Sequence, residues 1–242
     1  MPTSFIEMVS ALFFAPSDIS EIEKVLTVVG PIALGLILAL AIYLYCRKKA
    51  NQRMLAMQQA AAQLGWTFAA KPPMNYIAGL DRFTLFTQGH SKQILNMMYG
   101  EANGIKAAVF DYVYTTGSGK NATTHYQTVA YLEPPNINLP YFSLRPESLM
   151  SKVFSAFGYQ DIDFGQRPVF SKEYLLRGQD EQGIRGVFND SLLSFYEGYQ
   201  GICTDAGGNQ ILLFRANTRL PIEQIQSYLG LALSLLNFFP HY

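Results

Sequence analysis

DYVYTTGSGKNATTHYQTVAYL, residues Asp111 to Leu132, decides how the chain is read. It holds a Gly-Ser-Gly-Lys that fits either a phosphate cradle opening a helix or a turn between two strands. A nucleotide-binding loop needs a glycine five positions before its Gly-Lys pair and a Ser or Thr directly after it. Relative to Gly119-Lys120 those positions are Tyr114 and Asn121, so the tight turn and the magnesium-ligating hydroxyl are both missing. The flanks instead alternate. Ala108, Phe110, Tyr112 and Tyr114 project one way, with Val109, Asp111, Val113 and Thr115 opposite. After the glycines, Tyr126, Thr128, Ala130 and Leu132 share a face. That period of two predicts a β-hairpin with a glycine turn and no nucleotide.

Within the hairpin, Asp111 and His125 are the candidates for chemistry. If the register made them cross-strand neighbours they would form a His–carboxylate pair suited to general-base work or to holding a metal. No third ligand and no Gly-x-Ser-x-Gly nucleophile turn accompanies them, so a structural hydrogen-bonded pair is the simpler reading. Asp161 and Asp163 share one side of a short extended stretch but lack the other oxygens of a calcium loop. Cys46 and Cys203 are the two cysteines and do not make a disulfide framework. No metal and no cofactor is expected. Residues 66–242 carry 13 basic and 14 acidic side chains without a basic stripe, which argues against nucleic acid.

Upstream, VLTVVGPIALGLILALAIYLYC, Val25 to Cys46, has 22 residues without a charge. As a helix it would be roughly 33 Å long, matching a hydrocarbon core of about 30 Å. Glu7, Asp18, Glu21 and Glu23 precede it; Arg47, Lys48, Lys49 and Arg53 follow. The positive flank predicts an N-terminus outside and the rest of the chain in the cytosol. Tyr43 and Tyr45 suit the inner headgroup region, and the four cations suit lipid phosphates. A cleaved signal peptide would carry its basic residues ahead of the apolar run. Gly35 and Ala39 have the small-xxx-small spacing of packed membrane helices, and Pro31 predicts a bend. The sequon at Asn121 would matter only outside the cytosol.

The expected organisation is an extracytoplasmic segment 1–24, a transmembrane helix 25–46, a juxtamembrane helix 47–65 and a cytosolic domain 66–242. The first segment holds a small helix with Phe5, Val9, Leu12 and Phe13 on one side, and Ser20-Glu-Ile-Glu23 is a capping box for the membrane helix. In the juxtamembrane helix Met54, Met57, Ala61 and Leu64 line one side, predicted to dock onto the domain before Gly65 ends it. Strands are expected at 66–70, 85–87, 93–99, 105–115, 123–132, 142–145 and 169–177, and in a hairpin of 201–204 with 210–215 around Gly207-Gly208. Helices are expected from Pro146 with Leu149, Val153, Phe154 and Phe157 inward, over 180–188, from an Asp190 cap to Tyr196, and after Pro221. The fold class is α+β, a mainly antiparallel sheet with flanking helices.

The run FDYVYTTGSGKNATTHYQTVAYLE, then FSLRPES, DIDFG and YLLRGQDEQGIRGVF, resembles a family of bacterial proteins built around a domain of unknown function. Its members pair one or two membrane spans with a cytosolic domain carrying such a hairpin. The resemblance covers roughly Leu64 to the C-terminus and implies architecture, with no activity, ligand or catalytic residue attached. The expected function is therefore a single-pass, bilayer-anchored protein in a bacterial inner membrane, with a non-enzymatic domain for protein interaction, assembly or self-association. The alternative is a membrane-tethered enzyme or small-ligand receptor with its site near Asp111 and His125.

Overall fold

The computed structural model describes residues 16–149 and 161–239, with the side chains of 16–26 left aside. Two compact units divide between Gln52 and Arg53. Helix α1 (Pro16–Gln63) supplies the first unit up to Gln52 and runs through Pro31 without interruption. It starts four residues ahead of the expected Ser20 cap. From Val28 to Tyr45 its large apolar side chains are exposed, Leu34 and Ile37 among them. Over Thr27–Gln63 it is long and apolar enough to cross a membrane.

The second unit is built on one eight-stranded antiparallel sheet. Its strands are β1 (Thr67–Ala69), β2 (His90–Ala102), β3 (Ile105–Thr116), β4 (Thr123–Glu133), β5 (Leu139–Pro146), β6 (Tyr174–Gly178), β7 (Cys203–Gly208) and β8 (Gln210–Phe214), in the order β1-β2-β3-β4-β8-β7-β5-β6. The α+β class is as the sequence predicts. The opening stretch is the β3–β4 hairpin, paired without a slip from Lys106↔Glu133 to Thr116↔Thr123. Its exposed turn needs Gly117 at φ 74°, where a Cβ would run into the Asn121 carbonyl. The β7–β8 turn is Gly208-Asn209, one residue later than expected, since Gly207 itself pairs with Gln210.

Each sheet face has its own core. On one, Val109, Ala130, Leu144 and Leu213 meet helices α4 (Glu181–Val187), α5 (Asp190–Gly198) and α6 (Ile225–Leu235) through Ile184, Leu192, Tyr196 and Leu229. The end of α1 joins this face: Met57 and Ala61 are fully buried in it and Leu64 packs beside them. That is the docking stripe read from the three–four spacing. On the other face Phe110, Tyr112, Tyr131 and Phe214 are covered by Leu80, Phe83, Leu85 and Phe86.

Three segments depart from expectation. Residues 85–87 belong to a one-turn helix, α2 (Thr84–Thr87), whose Leu85 and Phe86 plug the second core; so short an apolar run has no decisive period. The strand expected from Val169 begins at Tyr174, because Pro168 sits at the first position of helix α3 (Pro168–Glu173). After β5 the chain makes a 3₁₀ turn at Glu147–Leu149, and the remainder of the helix expected there lies outside the described residues. The N-terminal helix expected near Glu7 lies outside them too. Caps follow the expected chemistry, shifted once. Asp180 accepts from the Gly183 N–H, and Asn189 rather than Asp190 caps α5 through the Leu192 N–H.

Candidate functional site

The two hairpin candidates do not meet. Tyr114 pairs with His125 and Asp111 with Thr128, so the two side chains stand three positions apart on opposite faces of the sheet. His125 stacks on Tyr114 at 4.6 Å, with Nδ1 2.7 Å from Asn217 Oδ1 and Nε2 2.8 Å from Thr116 Oγ1. Both ring nitrogens are thus occupied by neutral partners. The His–carboxylate pair expected from the sequence is corrected by the register.

Asp111 instead closes a buried charge cluster. Its side chain is fully buried, and Arg53 of α1 holds it in a fork: Nε donates to Oδ2 at 2.6 Å and Nη2 to Oδ1 at 2.7 Å. Asn96 Nδ2 and Thr128 Oγ1 donate to the same carboxylate at 3.0 and 3.1 Å. Arg53 Nη1 also donates to the Leu220 carbonyl, and Arg219 Nε lies 3.8 Å from Asp111. A bidentate pair of this kind orients both partners and leaves the carboxylate no free lone pair for chemistry. Arg53, expected beside the headgroups, is therefore committed to the protein. Arg47, Lys48 and Lys49 remain exposed, Lys49 5.2 Å over the Tyr45 ring. Tyr43, Gly35 and Ala39 lie on the exposed helix, where a Cβ on Gly35 would meet nothing within 4 Å.

A second buried ion pair lies on the opposite face and borders a cleft of about 460 Å³. Its floor is the outward face of the β5–β6 pair, where Leu175 stands opposite Arg145 and Arg177 opposite Ser143. Its wall is the Arg82–Thr87 segment, and Tyr141 and Leu149 lie at its margins. Arg145 Nη2 meets Asp205 Oδ1 at 2.6 Å, both side chains almost wholly buried. Nη1 donates to the Leu144 and Thr204 carbonyls, and the guanidinium lies 4.8 Å over the Phe214 ring. The other Asp205 oxygen accepts the Leu85 N–H at 2.9 Å, fastening the wall to the sheet. Beside the pair, burial pushes the Cys203 thiol up to about 11, partly offset by the Arg145 charge.

The sequence signal for this site was a charged residue placed inward in an apolar strand, Arg145 in YFSLRP and Asp205 in ICTDAGG. It went unread because neither has a partner nearby in sequence. Elsewhere Asp161 accepts the Leu176 N–H at the β6 edge and burial raises its pKa, while Asp163 is exposed. Among the described residues no three His, Cys, Asp or Glu side chains are grouped to hold a metal.

No protein-family model and no curated protein matches the chain. The fold is similar to the crystal structure of the mycobacterial trehalose monomycolate transport factor A, TtfA, with a TM-score of 0.55 and 12% sequence identity over 78% of this chain and 97% of that one.

Proposed function

We propose that this chain is a single-pass membrane protein whose α+β domain works by binding at the cytoplasmic face of a bacterial inner membrane, as an interaction or assembly module. The observation that carries the reading is the exposed apolar helix from Thr27 onward, followed at once by Arg47, Lys48 and Lys49. In water such a surface would drive aggregation; in a bilayer it is the preferred state. The cationic flank favours an N-terminus outside and the domain inside. The resemblance of the FDYVYTTGSGKN hairpin to bacterial membrane proteins supports the same arrangement. The similar fold of a trehalose monomycolate transport factor fits a membrane-associated role.

Protease protection tests it. Protease added to sealed, right-side-out cells is expected to spare residues 66–242, and inverted vesicles to lose them. Digestion in intact cells would overturn the topology, and recovery of the chain in the soluble fraction would overturn the anchor. Mild crosslinking before detergent extraction is expected to retain a second polypeptide or a second copy; only monomer would count against the assembly role.

A further inference from the structure

The β5–β6 cleft combines two chemistries that a single small ion or a plain hydrocarbon cannot satisfy together. Phe83, Phe142, Pro146, Leu149 and Leu175 give it apolar walls. Arg82, Arg145 and Arg177 also line it, and no carboxylate does among the described residues. Asp205 compensates Arg145 from beneath, inside the core. Arg145 is buried in its ion pair with Asp205 and lends the cleft its charge from within the wall. Three arginines lining one cleft make an anionic group the favoured polar end of a ligand there. Arg82 is exposed at the rim, its guanidinium 5.9 Å from the Tyr141 ring. The volume, about 460 Å³, lies within the 300–1,000 Å³ typical of small-molecule sites.

We infer that this cleft binds a single-chain anionic amphiphile, a fatty carboxylate, with the acyl chain along Phe83 and Leu175 and the carboxylate on the arginine side. A free inorganic anion would leave the apolar walls wet, and an uncharged alkane would gain nothing from the arginine side. The flat guanidinium fork matches a carboxylate geometrically. The inference goes beyond the membrane reading and does not rest on it, since every residue used belongs to the unit from Arg53 onward.

The test uses the full chain in phosphatidylcholine nanodiscs, photolabelled with a diazirine-bearing dodecanoate, the adducts being mapped by mass spectrometry. Adducts are expected on peptides containing Tyr141, Leu149 or Leu175. Decanoate should compete at least tenfold better than decanol, and affinity should rise by up to about fourfold per added methylene until the cleft is full. Arg82→Glu, at an exposed site that leaves the core intact, and Ser143→Phe, which fills the cleft, should each lower labelling tenfold or more while circular dichroism stays unchanged. Four results would overturn the inference: adducts confined to Thr27–Cys46, equal competition by decanol, full labelling of Ser143→Phe, or decyl phosphate displacing the probe tenfold better than decanoate. The protease result above is independent of all four, so either reading can fail alone.

Discussion

Replacing Arg53 by Met separates two roles for one cation. Arg53 donates four hydrogen bonds into the Asp111 cluster, two to the carboxylate, one to the Leu220 carbonyl and one to Thr128 Oγ1, and its side chain is only 13% exposed. Removing one member of a buried pair costs about 3–5 kcal/mol, because the other charge is left uncompensated. Here Asn96 and Thr128 still donate to Asp111, and Arg219 stands 3.8 Å away, so the lower end, about 3 kcal/mol, is expected. For a unit of this size that is a fall in Tm of roughly 6–12 °C. The single tryptophan, Trp66, donates to the Glu101 carbonyl beside β1 and gives a fluorescence signal for the sheet. A double-mutant cycle with Asp111→Asn sharpens the test. Once the carboxylate is an amide, loss of Arg53 should cost about 1 kcal/mol, leaving a coupling of about 2 kcal/mol. A headgroup-binding Arg53 would behave differently: Arg53→Met would stay within about 0.5 kcal/mol of the parent. That result, or an additive cycle, would refute the structural assignment.

Three further outcomes follow from the same contacts. Met57→Ala should destabilise the domain by about 2–5 kcal/mol, whereas Leu55→Ala, on the exposed side of α1, should stay within about 0.5 kcal/mol; urea titration compares them. The native Cys203 thiol is held protonated up to about pH 11 against about 9 when exposed, so its contribution is complete below pH 9 and lost as pH rises toward 11. Between pH 9 and 10 the parent should lose stability with a slope that Cys203→Ala flattens, measured by denaturation in a Cys46→Ser background. At the hairpin tip, Gly117→Val should cost about 1–3 kcal/mol for its left-handed φ. Lys120→Ala should change neither Tm nor the response to Mg-ATP, and a Mg-ATP shift lost on Lys120→Ala would restore the nucleotide reading of the turn.

What was legible in the sequence was whatever depends on spacing along the chain. Alternation around Gly117 made the hairpin visible because side chains in a strand take opposite faces every second residue. The three–four spacing of Met57, Ala61 and Leu64 made the docking stripe visible for the matching helical reason. The uninterrupted uncharged run to Cys46 made an exposed helix readable, because no charged residue offers an alternative face. Short apolar runs such as Leu85 to Thr87 were not legible, since one turn of helix and three residues of strand look alike without a neighbour to choose between them.

Only the tertiary structure decided which charges meet. Arg53 and Asp111 lie 58 residues apart in sequence and Arg145 and Asp205 lie 60 apart. No local pattern encodes either pair, because a buried guanidinium finds its carboxylate through strand order and helix placement. The strand register did the rest: it carried His125 to the face away from Asp111, and it brought Arg145, Leu175, Ser143 and Arg177 together on the surface that became the cleft.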